Sequence, residues 1–176
     1  MNKKCMQKDE YSYLLSVDPS YRHTGVVYCG TNYNTDHVEV FEAIPYTNKE
    51  QDMAKVYKNY NNIFKSIFDT YKIDFVVIDD TYVYPKFGIY AQKQNFGVVS
   101  LILSNIPNDT GYLLYNMNTV YSFFGIKGKD KKKQLHKKLS IIKDLSGDIY
   151  DCIAMAMTIY NKHKIMLKGG KIYEFS

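Results

Sequence analysis

Tyr13–Gly25 reads YLLSVDPSYRHTG. Its apolar start, Tyr13 to Val17, has the length and composition of a buried strand. The strand delivers a lone carboxylate, Asp18, to a turn formed by Pro19 and Ser20. An open α/β sheet sets its chemistry at strand ends of this kind, although Asp before Pro is also ordinary turn chemistry. The weight of Asp18 therefore depends on whether other acids are delivered to the same place.

Outward from this stretch, Gly25 to Cys29 reads as a second strand. His37 to Ala43 reads as a third, with Val38, Val40 and Ile44 inward against Glu39 and Phe41. Short links between the three predict an antiparallel meander whose first strand is central. The period then changes. Met53, Val56, Tyr57, Tyr60, Ile63, Phe64, Ile67, Phe68 and Tyr71 recur at three- and four-residue steps, which predicts one long amphipathic helix between Asn48 and Tyr71. Asp74 to Ile78 is short, apolar and β-branched, as expected of a central strand covered on both faces, and its place after the helix implies a parallel crossover. Phe87 to Ser104 predicts a second helix, unusually apolar from Phe96 to Leu103; such a surface is either buried or meets another subunit. Gly111 to Tyr115 predicts a further strand, and Lys129 to Ile142 and Gly147 to Lys162 two more helices. The order βββ-α-β-α-β-α-α points to one α/β three-layer domain over residues 11–163, with 1–10 and 164–176 as terminal extensions.

A chain of 176 residues can bury a full core without staples. Apolar residues make up 45% and charged residues 23%, ordinary for a globular protein. Cys5, Cys29 and Cys152 are far apart and form no CxxC pair, so they fit free thiols better than a disulfide frame or a zinc site. The N-terminus has no hydrophobic signal core, and the run FGVVSLIL is too short to cross a bilayer. A cytoplasmic protein with no membrane association is the expectation. The net charge of +5 permits a polyanionic partner without demanding one. Eighteen Tyr, no Trp and abundant Lys, Asn and Ile suggest an AT-rich genome.

Four acids hold special places. Asp18 ends the first strand, and Asp79, with Asp80 beside it, ends the first crossover strand. Asp148 and Asp151 fall in the first turn of the last helix, three apart and so on one face, about 5–6 Å between Cβ atoms. That separation suits two side chains gripping one ion, or two ions about 3.5–4 Å apart. Singly, each has a plain structural explanation as a turn acid, a loop cap or a helix N-terminal acid. Those explanations leave unexplained why acids end both central strands and then recur as a pair. A cluster of hard oxygen ligands fits Mg²⁺ or Mn²⁺ and argues against zinc. Lys127, Lys129, Lys131, Lys132, Lys133, Lys137 and Lys138 form a basic run that is either a solvated helix face or a phosphate-tracking surface. Tyr82 and Tyr84 are either exposed loop tyrosines or stacking platforms for splayed bases.

Four segments, in order, resemble the motifs of the RuvC-type Holliday junction resolvases, members of the ribonuclease H-like superfamily. They are VDPSYRHTG, FVVIDDTYVYPK, GIKGKDKKKQLHKKL and GDIYDCIAMAMTIYNKH, and together they span residues 13 to 163. The resemblance implies a ribonuclease H-like three-layer fold, a five-stranded mixed sheet with helices on both faces. It implies a homodimer that nicks branched DNA, four-way junctions above all with forks and flaps as further candidates, using two Mg²⁺ ions per site or Mn²⁺ in their place. By position, Asp18, Asp79, Asp148 and Asp151 match the metal-binding acids and Lys131 the catalytic-segment lysine. Tyr82 matches the aromatic that stacks near the crossover, Lys129, Lys131, Lys132 and Lys133 are the expected DNA-binding lysines of the basic segment, and the helix from Phe96 to Leu103 matches the dimer interface.

Three positions depart from the family. Asp79 stands where the cellular enzymes have Glu, one methylene longer, and Asp80 is an alternative second acid. Ser20 replaces the usual glycine of the first turn, and Tyr121 occupies a basic position placed in a strand before Gly125-Ile126-Lys127. This divergence, with the composition, suggests a bacteriophage or other viral member acting in a host cytoplasm. Two other readings stand beside the resolvase: a branched-DNA binding protein with weak or lost catalysis, and a ribonuclease H-like nuclease acting on RNA or hybrids.

Overall fold

A computed structural model describes residues 11–32, 38–80, 88–139 and 145–163. Its elements in chain order are β1 (Tyr11–Asp18), β2 (His23–Asn32), β3 (Val38–Thr47), α1 (Met53–Thr70), β4 (Phe75–Asp79), α2 (Ile89–Asn105), β5 (Gly111–Tyr115), α3 (Met117–Phe123), α4 (Lys131–Leu139) and α5 (Gly147–His163). The five strands form one sheet in the order β3-β2-β1-β4-β5. β1 is central, antiparallel to β2 and parallel to β4, as the meander-plus-crossover reading requires.

Alternation along the central strands divides the interior into two layers. Leu14, Val27, Phe75 and Val77 pack with residues of α3, α4 and α5 on one face. Leu15, Val17, Val26, Val76 and Ile78 pack with α1 and α2 on the other. The helix α1 buries Val56, Tyr60, Phe64 and Ile67, one stripe at helical spacing, and Asp52 caps it by accepting from the Ala54 and Lys55 amides. Gly97 on α2 lies directly under the Tyr57 ring, so α1 and α2 meet at a glycine. Val17 and Ile78 have no exposed surface; burying each contributes roughly 1.5–3 kcal/mol and anchors the strand ends that follow them.

Three expectations are corrected by packing. In β3, Tyr28 pairs with Glu42 and Cys29 with Val40, so Phe41 is an extra residue and the strand bulges. The bulge breaks the expected alternation: Val38 and Ala43 pack on the α5 side, Ile44 and Tyr46 on the α1 side, and Val40 is exposed. Residue 37 lies outside the described residues. Tyr121 belongs to a helix, α3, and not to a strand. Asn116 caps α3 by accepting from the Asn118 amide, and the burial of Val120 holds it in place, although β-branched and aromatic residues gave it little helical signal. The next helix begins at Lys131 and not Lys129, because Gly128 and Asp130 have φ of 80° and 58°, outside the helical region. Residues 1–10, 140–144 and 164–176 lie outside the described residues, and among those described no helix is long and apolar enough to cross a membrane.

Candidate metal centre

Asp18 and Asp79 reach the same sheet end because β1 and β4 run parallel with Val17 paired to Ile78. The α5 acids are brought to them by a close helix–sheet contact. A Cβ on Gly25, the β2 partner of Asp18, would lie 2.5 Å from the Asp148 carbonyl oxygen, so only glycine lets the helix start this close. Two hydrogen bonds hold the seat: Ser16 Oγ donates to the Cys152 carbonyl at 2.8 Å, and Cys152 Sγ donates to the Gly25 carbonyl at 3.2 Å. Both Cys29 and Cys152 are buried free thiols, and burial pushes the Cys29 thiol up to about 12, which leaves it unreactive. The turn after Asp18 is fixed by the Tyr60 hydroxyl, which donates to the Ser20 carbonyl at 2.6 Å, and by Thr24, bonded to both backbone groups of Ser20.

Asp18, Asp148 and Asp151 each present a carboxylate oxygen such that all three lie within 4.8 Å of one another. Asp79 is outside that group but lines the same cleft, of about 640 Å³, together with Asp80. Its Oδ1 is buried with no hydrogen-bond partner, an expensive state for a carboxylate unless a cation completes it. Asp80 is exposed, so of the two adjacent acids Asp79 is the one aimed into the interior.

The electrostatics are those of crowded like charges. Two carboxylates about 4 Å apart repel by about 4 kcal/mol at an effective dielectric near 20. Burial first, then Asp79 and Asp151, raises the Asp18 carboxyl well above its ordinary value. Burial, then Asp151 and Asp80, pushes Asp79 up to about 7, against a lowering contribution from the Met117 amide. Among the described residues, one lysine relieves the cluster. Lys132 Nζ lies 2.6 Å from Asp151 Oδ2, 3.1 Å from Asp148 Oδ1 and 3.9 Å from Asp18 Oδ2. Burial alone would lower that ammonium, but the three carboxylates outweigh it and hold it charged. One turn along α4, His136 Nε2 sits 3.3 Å from Asp151 Oδ1.

The all-oxygen donor set, the 4.8 Å grouping and the orphaned Asp79 oxygen suit a hard divalent cation such as Mg²⁺ or Mn²⁺. Asp18, Asp148 and Asp151 would hold it, with Asp79 beside them.

Of the predicted lysines, Lys132 alone enters the carboxylate cluster. Lys131 turns away, donating to Asn118 Oδ1 at 3.1 Å with its ammonium 5.7 Å from the Tyr121 ring centroid. Lys129 and Lys133 are exposed. Tyr82 and Tyr84 lie outside the described residues. The sequence reading missed Gly25 and His136. The four-residue spacing of Lys132 and His136 was an available signal, since it sets both on one helix face. Asn95 was missed too: its Oδ1 accepts from the Tyr21 amide at 2.9 Å and ties the strand turn to α2.

A mixed sheet in the order β3-β2-β1-β4-β5, with this placement of acids, is the ribonuclease H-like fold. Its structural neighbours include Holliday junction resolvases. RuvC of Thermus thermophilus in complex with Holliday junction substrate matches with a TM-score of 0.67 at 11% identity, over 85% of this chain and 95% of that one. The yeast mitochondrial Holliday junction resolvase matches at 0.54 and 8% identity, over 84% and 78%. The fowlpox virus Holliday junction resolvase matches at 0.52 and 11%, over 85% and 98%. No protein-family model matches the sequence, and no characterised protein matches it by sequence. At such identities the likeness is one of fold, and the chemistry has to be argued from the site.

Proposed function

We propose that this chain is a RuvC-type, divalent-metal-dependent endonuclease that binds and nicks branched DNA, four-way junctions foremost. The observation that carries the reading is the convergence of Asp18, Asp148 and Asp151 within 4.8 Å, with Asp79 at the same strand ends. Two Mg²⁺ ions, or Mn²⁺, would supply a water activated for in-line attack and neutralise charge on the leaving oxygen. Asp18, which stands on the central strand, would hold the metal together with Asp79 and the Asp148–Asp151 pair. Lys132 is near enough to its carboxylates to pair with a phosphate brought among them, and Lys131, Lys129 and Lys133 would hold flanking backbone. Tyr82 would stack on an unpaired base. The products would carry 5′-phosphate and 3′-hydroxyl ends.

A homodimer would present two such sites to the matching strands of a junction. It is supported by α2, where Ile89, Tyr90 and Phe96 are 72%, 65% and 45% exposed. The tyrosine- and lysine-rich composition supports a viral member acting in its host's cytoplasm.

The test is cleavage of synthetic four-way junctions, flaps and RNA–DNA hybrids in Mg²⁺ and in Mn²⁺, with Asp18→Asn as control. Junction nicking that vanishes in the variant while binding persists is expected. Equal cutting by both proteins removes the proposal, and cutting confined to hybrids moves it to RNA chemistry. One observation favours a second reading, a branched-DNA binder with weak catalysis: the short Asp79 side chain stays outside the 4.8 Å group. That reading expects tight binding and negligible cutting in both metals, with activity gained by Asp79→Glu.

A further inference from the structure

A second cleft, of about 310 Å³, shares α3 with the carboxylate cleft. Asn118, Ser122, Lys127 and Lys131 line it, with the backbone between Gly125 and Gly128. Among the described residues no carboxylate lines it, whereas Asp18, Asp79, Asp80, Asp148 and Asp151 line its neighbour. Two adjacent pairs of side chains divide between the two. On α3, Met117 and Tyr121 border the acids while Asn118 and Ser122, one residue on and about 100° round the helix, border the second cleft. On α4, Lys132 enters the acids and Lys131 points to Asn118.

The loop forming the far wall is held in one shape. Gly125 and Gly128 have φ of 67° and 80°, and Ile126 is buried with its amide donating to the Tyr121 carbonyl at 2.8 Å. Gln134 Nε2 donates to the Lys127 and Lys129 carbonyls, at 3.4 and 2.8 Å. A concavity lined by two lysines, a serine, an asparagine and, among the described residues, no carboxylate favours an oxyanion.

We propose that this cleft is a second phosphate seat, taking a phosphodiester of the strand engaged at the carboxylates and so setting the register of the cut. The inference rests on the nuclease reading of the first cleft. The two clefts meet at α3, so the second seat falls within a few nucleotides of the first along the same strand.

The test uses the full chain and a Ser122→Ala/Lys127→Ala double variant, both positions being exposed and without packing duties. Inorganic phosphate is titrated first and followed by backbone amide NMR. Shifts centred on residues 118–131, lost in the variant, are expected; shifts absent there or unchanged in the variant overturn the seat. This arm needs no DNA, so it reads the seat even if the chain proves not to be a nuclease. Junction affinity is then measured between 50 and 200 mM salt, and the variant should bind about 3–10-fold more weakly with a salt slope smaller by about 1. Finally, single methylphosphonates are walked along the junction strand. Neutralising one phosphate within a few nucleotides of the cut should weaken wild type and not the variant. Equal loss in both proteins at that position would overturn the strand assignment and leave a site for free phosphate.

Discussion

Lys131 and Lys132 are neighbours on α4 and meet opposite surroundings. Among the described residues, Lys132 lies 2.6 Å from a carboxylate oxygen of Asp151 in a cleft lined by five acids, while Lys131 faces Asn118 in a cleft lined by none. The same side chain thus does two jobs. In the acidic cleft an ammonium relieves repulsion that a divalent ion would relieve better; in the basic cleft it adds to a positive surface. Burial decides how much each is worth, because Asp151 is almost inaccessible and a charge pair there is poorly screened.

The contrast can be broken most severely at the acids. Asp151→Asn should lower junction cleavage by more than about 100-fold, the scale of removing one group from a preorganised electrostatic site, whereas Lys133→Ala, on the exposed face, should change it by less than about threefold through phosphate contact alone. Comparable losses in a single-turnover assay would mean the two surfaces are not functionally distinct.

A second break is geometric. Gly25→Ala places a methyl 2.5 Å from the Asp148 carbonyl oxygen and must push α5 outward, at a cost of about 1–3 kcal/mol. Thermal melts should show that loss, and Mn²⁺ titration should show weaker binding as Asp148 and Asp151 retreat from Asp18. Retained Mn²⁺ affinity would mean that the close contact is not what sets the acid spacing.

Lys132→Met sharpens the comparison. With chelator present the variant should melt several degrees lower, because the carboxylates lose their cation. Mn²⁺ should bind it about tenfold more tightly, equivalent to about 1.4 kcal/mol, since no lysine competes for the same oxygens. Weaker binding would show that Lys132 assists the ion and does not compete with it.

The smallest effect concerns protons. Asp79 is raised from 3.8 to about 7, so the folded chain holds this proton more tightly than the unfolded one. The stabilising contribution is complete below pH ~4 and is lost as pH rises through about 7. In chelator, Asp79→Asn should therefore flatten the fall in melting temperature between pH 5 and pH 8, by about a few °C at the upper end. An unchanged pH profile would show that Asp79 is not the strained acid of the cluster.

Much of this was legible in the residues. The apolar run before Asp18, the four- and three-residue spacing of Val56, Tyr60, Phe64 and Ile67, and the β-branched run before Asp79 each carry their period in the chain, and together they specify a meander followed by a crossover. The three-residue spacing of Asp148 and Asp151 likewise needs no tertiary information. The helix α3 was not legible, because its capping by Asn116 and the burial of Val120 count for more than the propensities of its residues. Nor was the phase of β3, since a bulge at Phe41 is decided by what it pairs with.

The sequence by itself therefore determined which acids stand at strand ends and on one helix face, because periodicity and strand length are local properties. Only the tertiary structure decided that Lys132 and not Lys131 enters the carboxylates, that Asp79 and not Asp80 carries the unsatisfied oxygen, and that a glycine opposite Asp18 admits α5. Each of those depends on which chains of atoms are pressed together. One residue of helix rotates a side chain by about 100°, and no reading of a basic run can resolve that rotation until the neighbouring helix and sheet are in place.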